Sequence, residues 1–173
     1  MLRIICLLSL LTLGCAQTFV HEQSISVSFS PNAGATAAVV DLISQAKHRI
    51  RVAAYGFTSK EIAKALLEAH KRGVDVQVVL DKSNATSKYS SATFLANVGI
   101  PVRINYKYAI MHNKFMVVDD VTTETGSFNF TKAAELHNAE NLIVLRNHPD
   151  IGMQYLDQWQ MLWDEAEPYQ AKY

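Results

Sequence analysis

The strongest constraint on the fold is an alternation of two hydrophobic periodicities between residues 24 and 104. Ser24 to Ser30 (SISVSFS) changes from polar to apolar at every step, the pattern of a half-buried strand. AAVVDLISQAKH, ending near His48, has helical spacing, and Ile50 to Tyr55 (IRVAAY) reads as a buried strand. Ser59 is placed to cap a helix that runs to about Arg72 and stops at Gly73. Val74 to Leu80 is the next strand, Asp81 to Lys88 a polar loop, Ala92 to Ala96 a helix leading to Gly99, and Pro101 to Ile104 a short strand. Strands and helices taken in turn predict right-handed crossovers and parallel pairing.

From Lys114 the rhythm changes. Phe115 to Val118 and Val121 to Thr125 read as adjacent strands around an Asp119-Asp120 turn. Asn141 to Leu145 is a further strand, and Ile151 to Trp163 closes the chain as an amphipathic helix. The expected fold is therefore α/β, one domain over residues 17–173 with a mixed, largely parallel β-sheet flanked by helices. Neither an internal repeat nor a Pro/Gly-rich linker divides it.

Residues 1–16 have the form of a signal peptide. Arg3 precedes the apolar run Ile4 to Leu13, which is short for a bilayer span, and Gly14-Cys15-Ala16 supplies the small residues of a cleavage site. Export to the periplasm is the expectation, with no stable membrane insertion after cleavage. Lipidation at Cys15 and retention as an uncleaved anchor are the alternatives. Cys6 and Cys15, the two cysteines, both fall in this segment, which removes disulfides, thiolate metal sites and a thiol nucleophile from the chemistry of the remaining chain. Net charge is zero, from 16 basic and 16 acidic residues, so any polyanion must be held by a local cluster rather than by bulk charge.

The chemistry concentrates in His112 to Asn129, HNKFMVVDDVTTETGSFN. His112 and Lys114, two residues apart at the mouth of a strand, leave the same face. An imidazole beside an ammonium suits an anionic phosphate: lysine neutralises the non-bridging oxygens, and histidine can attack phosphorus or deliver a proton. Asp119, seven residues from His112, points to the opposite face of a continuous strand, which fits a role in fixing the turn or a neighbouring cation. The Gly126-Ser127-Phe128-Asn129 turn offers a hydroxyl and an amide as further phosphate ligands. Asp120 reads as a solvated turn residue.

H-x-K-x4-D followed by G-S-x-N resembles the HKD signature of the phospholipase D superfamily, fixing His112, Lys114, Asp119, Gly126, Ser127 and Asn129. Similarity extends over Ser24 to Tyr173, and AYGFT (Ala54 to Thr58), RGVDV (Arg72 to Val76) and ETGSFNFTKAAE (Glu124 to Glu135) resemble the small exported bacterial endonucleases of that superfamily, which are non-specific and chelator-resistant. The resemblance implies His112 as the nucleophile that forms a phosphohistidine, and a second histidine that protonates the leaving oxygen. It further implies Lys114 and Asn129 as holders of the phosphate oxygens, with Ser127 nearby. It makes Glu140 the carboxylate that orients the imidazole and gives Asp119 a more structural role. No cofactor or metal is implied. The chain carries one motif where the chemistry uses two histidines, so the resemblance implies a homodimer with its active site on the two-fold axis.

The substrate expected is DNA, with RNA not separated from it; a lipid phosphodiesterase of the same superfamily is the alternative, and a binding protein without turnover a further one. Arg103, Tyr106, Lys107 and Tyr108, with Lys132, read equally as a nucleic-acid groove or as a polar edge with half-buried tyrosines. Trp159, Met161, Leu162 and Trp163 at helical spacing read as core or dimer packing.

Overall fold

A computed structural model of the chain describes residues 22–171; the signal segment assigned to residues 1–16, with Cys6 and Cys15, lies outside them. The elements are β1 (Ser24–Ser30), α1 (Ala35–Gln45), β2 (Arg49–Ala54), α2 (Lys60–Lys71), β3 (Asp75–Asp81), α3 (Ala92–Asn97) and β4 (Val102–Asn105). They continue with β5 (Lys114–Val118), β6 (Thr122–Gly126), α4 (Lys132–Leu136), β7 (Glu140–Arg146), α5 (Pro149–Asp164) and β8 (Glu167–Pro168). Local signals behave as the residues demand: the Ser59 hydroxyl accepts from Ile62 N and caps α2. Asp119 and Asp120 both take left-handed backbone angles in the tight turn between β5 and β6.

The strands form one mixed sheet, flanked by helices as expected, in the order β1-β7-β6-β5-β2-β3-β4-β8. Parallel pairing is confined to β2–β3 and β3–β4, and every other pairing of these strands is antiparallel. The expectation that the sheet is largely parallel is corrected accordingly. Alternation signals crossovers but does not say which strands become neighbours. Here β5, β6 and β7 insert between β1 and β2, so β1 pairs antiparallel with β7 at the edge.

Helices α1 and α2 cover one face, where Val39, Leu42, Ile43, Ile62 and Leu66 pack on Val52, Val78 and Met116. On the other face α5 lays Trp159 and Leu162 on Ala53, Val79, Phe115 and Val117. Trp159 is buried and donates to Val52 O at 2.9 Å, and Trp163 stacks on it with ring centroids 4.9 Å apart. Of the residues read as packing in this helix, Met161 is the exposed one.

α5 packs against β2 to β6 and leaves β1 uncovered. Ile25, Val27 and Phe29 are therefore 58%, 55% and 57% exposed rather than half-buried. Glu124 has the opposite fate. It is fully buried in β6 with both carboxylate oxygens unpartnered among the described residues, and burial pushes its carboxyl well above the usual range.

Candidate active site

The C-terminal ends of β2 and β6 and the N-terminal ends of β5 and β7 lie together at one end of the sheet, as the pairings Ala54↔Lys114, Phe115↔Thr125 and Gly126↔Leu142 require. Lys114 opens β5 and is buried, whereas His112, two residues earlier, is exposed. Lys114 Nζ stands 2.9 Å from His112 Nδ1 and donates to His112 O at 2.7 Å. An ammonium has no acceptor, so a charged Lys114 leaves Nδ1 as acceptor and the proton on Nε2. Burial pulls the Lys114 ammonium below its ordinary value, and the nearby Glu140 carboxylate works against that.

Tyr55, immediately after β2, completes the floor. Its ring centroid is 4.6 Å from that of His112 and 5.3 Å from Lys114 Nζ, and its N–H donates to Asn113 O at 2.8 Å. In the sequence Tyr55 stands out only as a member of the AYGFT stretch, with no role of its own. The signal that could have found it is its position at the carboxyl end of a buried strand, where open α/β sheets bind ligands.

Asp81 is a second residue that sequence reasoning missed. Its carboxylate accepts from Met111 N at 2.8 Å and from Ser83 N at 2.9 Å, and Asn84 Nδ2 donates to Tyr55 O at 2.6 Å. The segment read as a polar loop is thus a short 3-10 turn (Lys82–Ala85) that clamps the backbone on both sides of the His112–Tyr55 pair. Asp81 and Asn84 are positioning residues.

Across the end of the sheet, Gly126 permits the turn to close. A Cβ there would meet Asn141 O at 2.2 Å, so only glycine lets β6 pass β7 this tightly. Ser127 Oγ accepts from Asn141 N at 3.0 Å. Asn129 Oδ1 is buried with no partner among the described residues, and a Cβ on Gly56 would sit 3.5 Å from it. A buried amide oxygen without a partner is costly unless a ligand or second chain satisfies it. Glu140 opens β7 at the same end and accepts from Asn138 Nδ2 at 3.1 Å; within the chain it makes no hydrogen bond to His112. His112, Lys114, Ser127, Asn129 and Glu140 therefore gather at one end of the sheet.

Asp119 does not join them. It lies at the far end of β5, roughly 17 Å away at about 3.3 Å per residue. Its carboxylate accepts from Arg49 N, Lys47 N and His48 N at 3.0, 2.9 and 2.8 Å, anchoring the entry to β2. Burial works to raise this carboxyl, but the three N–H groups together hold it below the ordinary aspartate value. Asp120, read as a solvated turn residue, is instead a bidentate partner of Arg49.

The basic and aromatic run before the motif is engaged elsewhere. Arg103 donates to Trp163 O at 2.9 Å and lies over the Trp163 ring, while Lys107 and the Tyr108 hydroxyl both bind Glu165. These contacts tie the segment to α5, although Tyr106 and Lys107 stay exposed. Among the described residues no group of three or more His, Cys, Asp or Glu side chains converges as metal ligands, and no helix is long and apolar enough to cross a membrane.

Comparison with known proteins agrees with this geometry. The family model described as "Cardiolipin synthase, PLD-like domain" matches residues 39–163. The crystal structure of Nuc from Salmonella typhimurium, a phospholipase D family member, superposes with a TM-score of 0.84 at 44% identity, covering 86% of this chain and 99% of that one. A phospholipase D of Rickettsia bellii is 39% identical over 138 residues, 80% of this chain and 68% of its own length. A mitochondrial cardiolipin hydrolase of Danio rerio is 31% identical over 159 residues, 91% of this chain and 66% of its own length. A histidine and lysine at motif spacing, on a sheet that superposes on Nuc over 86% of the chain, leave one assignment: the chain belongs to the phospholipase D superfamily and is a phosphodiesterase.

Proposed function

We propose that the protein is a metal-independent endonuclease that hydrolyses phosphodiester bonds of DNA or RNA through a phosphohistidine, at a site shared by two copies of the chain. The observation that carries this reading is the His112–Lys114 contact. With its Nδ1 facing the Lys114 ammonium, the imidazole carries its proton on Nε2, and in that form Nε2 cannot attack phosphorus. A nucleophilic Nε2 needs the proton on Nδ1 instead, and a carboxylate to receive that hydrogen bond. One ring cannot attack phosphorus and, as an imidazolium, protonate the leaving oxygen in the same step. Two copies related by a two-fold axis supply two His112 rings, and Glu140 of either copy is available to the ring that attacks.

In the first step Nε2 of one His112 attacks phosphorus, and the P–O bond to the leaving oxygen breaks as the other His112 gives that oxygen its proton. In the second step water attacks phosphorus, its proton passes to the histidine that served as acid, and the P–N bond breaks. Lys114 and Asn129, with Ser127 beside them, hold the non-bridging oxygens of the trigonal-bipyramidal phosphorus, where negative charge builds up. Asp119 keeps the motif strand in place from its far end.

The similarity to Nuc favours nucleic acid, while the phospholipase D and cardiolipin hydrolase relatives keep lipid phosphodiesters as the second reading. The leader at residues 1–16 supports export to the periplasm as part of the same proposal. The test is incubation of residues 17–173 and its His112→Ala variant with duplex DNA, single-stranded DNA, RNA and cardiolipin vesicles in excess EDTA. Nucleic-acid cleavage that survives EDTA and vanishes in the variant is the expected result. Turnover of the lipid alone overturns the nuclease reading.

A further inference from the structure

One cavity among the described residues lies away from His112. It is a groove of about 900 Å³ between α2 and the segment leading into α3. Five of the chain's sixteen basic residues line it: Lys60, Lys64, Lys71, Lys88 and Lys132. Glu68 is the one acidic side chain there, and it pairs with Lys71. Lys60, Lys64, Lys88 and Lys132 form no ion pair among the described residues. In a chain of zero net charge, this is a concentrated positive field: five lysines against Glu68 in the groove, with Glu61 of the same helix acting on Lys132 and Lys60 from nearby.

Two further observations give the groove a direction and a ligand class. Lys60, Lys64 and Lys71 follow one another down a single helix face, a run of about 16 Å at 1.5 Å rise per residue. Its upper end abuts the catalytic end of the sheet. Thr58 N and Ser59 N both donate to Phe130 O at 2.9 Å, next to Asn129; Lys132 follows two residues later; and Ser91 N donates to Phe57 O at 2.8 Å. Tyr89 and Phe94 are 76% and 43% exposed in the same groove, with Lys88 Nζ 5.9 Å from the Tyr89 ring centre.

A row of lysines along a trench, with exposed rings on its opposite wall, is the chemistry of single-strand binding: lysines track the backbone and rings stack on unpaired bases. A paired base offers those rings no face, and a flat bilayer does not fill a trench. Resting on the nuclease reading for its continuity with His112, we infer that this groove is a track for single-stranded nucleic acid, carrying the strand beyond the scissile phosphate along α2.

The experiment separates binding from cleavage. Anisotropy of a labelled 20-nucleotide single strand is measured on the full-length His112→Ala protein, with and without the added changes Lys64→Gln, Lys71→Gln and Lys88→Gln, and separately with Tyr89→Ala. The lysine changes are expected to weaken binding at least tenfold and to flatten the plot of log affinity against log salt by about 2, at about 0.7 for each phosphate no longer neutralised. Tyr89→Ala is expected to weaken the single strand at least fivefold and a matched duplex much less. Hydrolysis of a small chromogenic phosphodiester by the lysine and tyrosine variants with His112 intact is expected to be unchanged. Single-strand affinity equal to the His112→Ala parent overturns the inference. So does an equal loss on duplex, or a loss confined to anionic phosphatidylglycerol vesicles. Lysine-dependent binding of the single strand by a protein that cleaves no nucleic acid would sink the nuclease reading while upholding the groove.

Discussion

The two ends of β5 are built on opposite principles. At the Asp119 end both aspartates are satisfied: three backbone N–H groups point at one carboxylate, and Arg49 closes on the other. At the Lys114 end a buried ammonium leans on an imidazole nitrogen, an amide oxygen is buried without a partner among the described residues, and Glu140 makes no hydrogen bond to His112. The HKD motif therefore spans a strand whose far end is finished for folding and whose near end leaves polar groups open, as the proposed shared site requires. Stability and chemistry are segregated along about five residues of sequence, and substitutions should separate in the same way.

The sharpest break in that comparison comes from His112. His112→Ala should lower kcat/KM by at least about 10³-fold, as loss of a nucleophile does, with an unchanged unfolding midpoint because the ring is exposed. Steady-state kinetics beside calorimetry checks both halves. Asp119→Ala should do the reverse. Losing the charged acceptor of three N–H groups should cost about 1.5–3 kcal/mol of stability, measured by urea unfolding, while turnover per folded molecule is retained. The pH dependence carries a sign. Because the folded-state carboxyl lies below its unfolded value, its contribution is present above the ordinary aspartate range and disappears as pH falls through the folded value. The stability gap between the parent and Asp119→Asn should therefore close in acid.

A smaller effect sharpens the catalytic end. Lys114 must be charged to hold phosphate, and burial lowers its ionisation, so activity should decline on the alkaline side below the ordinary lysine value. Glu140→Gln removes the opposing charge and should move that alkaline limb further down, as read in a kcat/KM profile against pH. The smallest effect lies between the two ends, at Glu124. Its carboxyl is raised in the fold, so burial opposes folding more as pH climbs past the unfolded value. Glu124→Gln should remove that decline, and a Tm difference between parent and variant that widens from pH 5 to pH 8 is the readout.

The chemical half of the architecture was legible because it is local. His112, Lys114 and the turn from Gly126 to Asn129 are close in sequence, and Ser59 and the Asp119-Asp120 pair are decided by capping and turn geometry. What depends on packing was not legible. The sheet order follows from where the β5–β6 hairpin inserts. The exposure of Ile25, Val27 and Phe29 follows from the reach of α5. Tyr55 and Asp81 reach the site only because β2 and β3 end beside β5, and their residue types gave no hint of it. The basic residues before the motif attracted attention by adjacency, yet their side chains are tied to α5. The lysines of the open groove are scattered from Lys60 to Lys132 and meet only in the fold.

The central claim is that one active site consumes two His112 rings. Parent and His112→Ala chains, refolded together in varied proportion at constant total protein, test it most directly. The account predicts nuclease activity that falls as the square of the parent fraction, since only parent–parent pairs carry both a nucleophile and an acid. Activity that falls in simple proportion to the parent fraction would contradict a site shared between two chains.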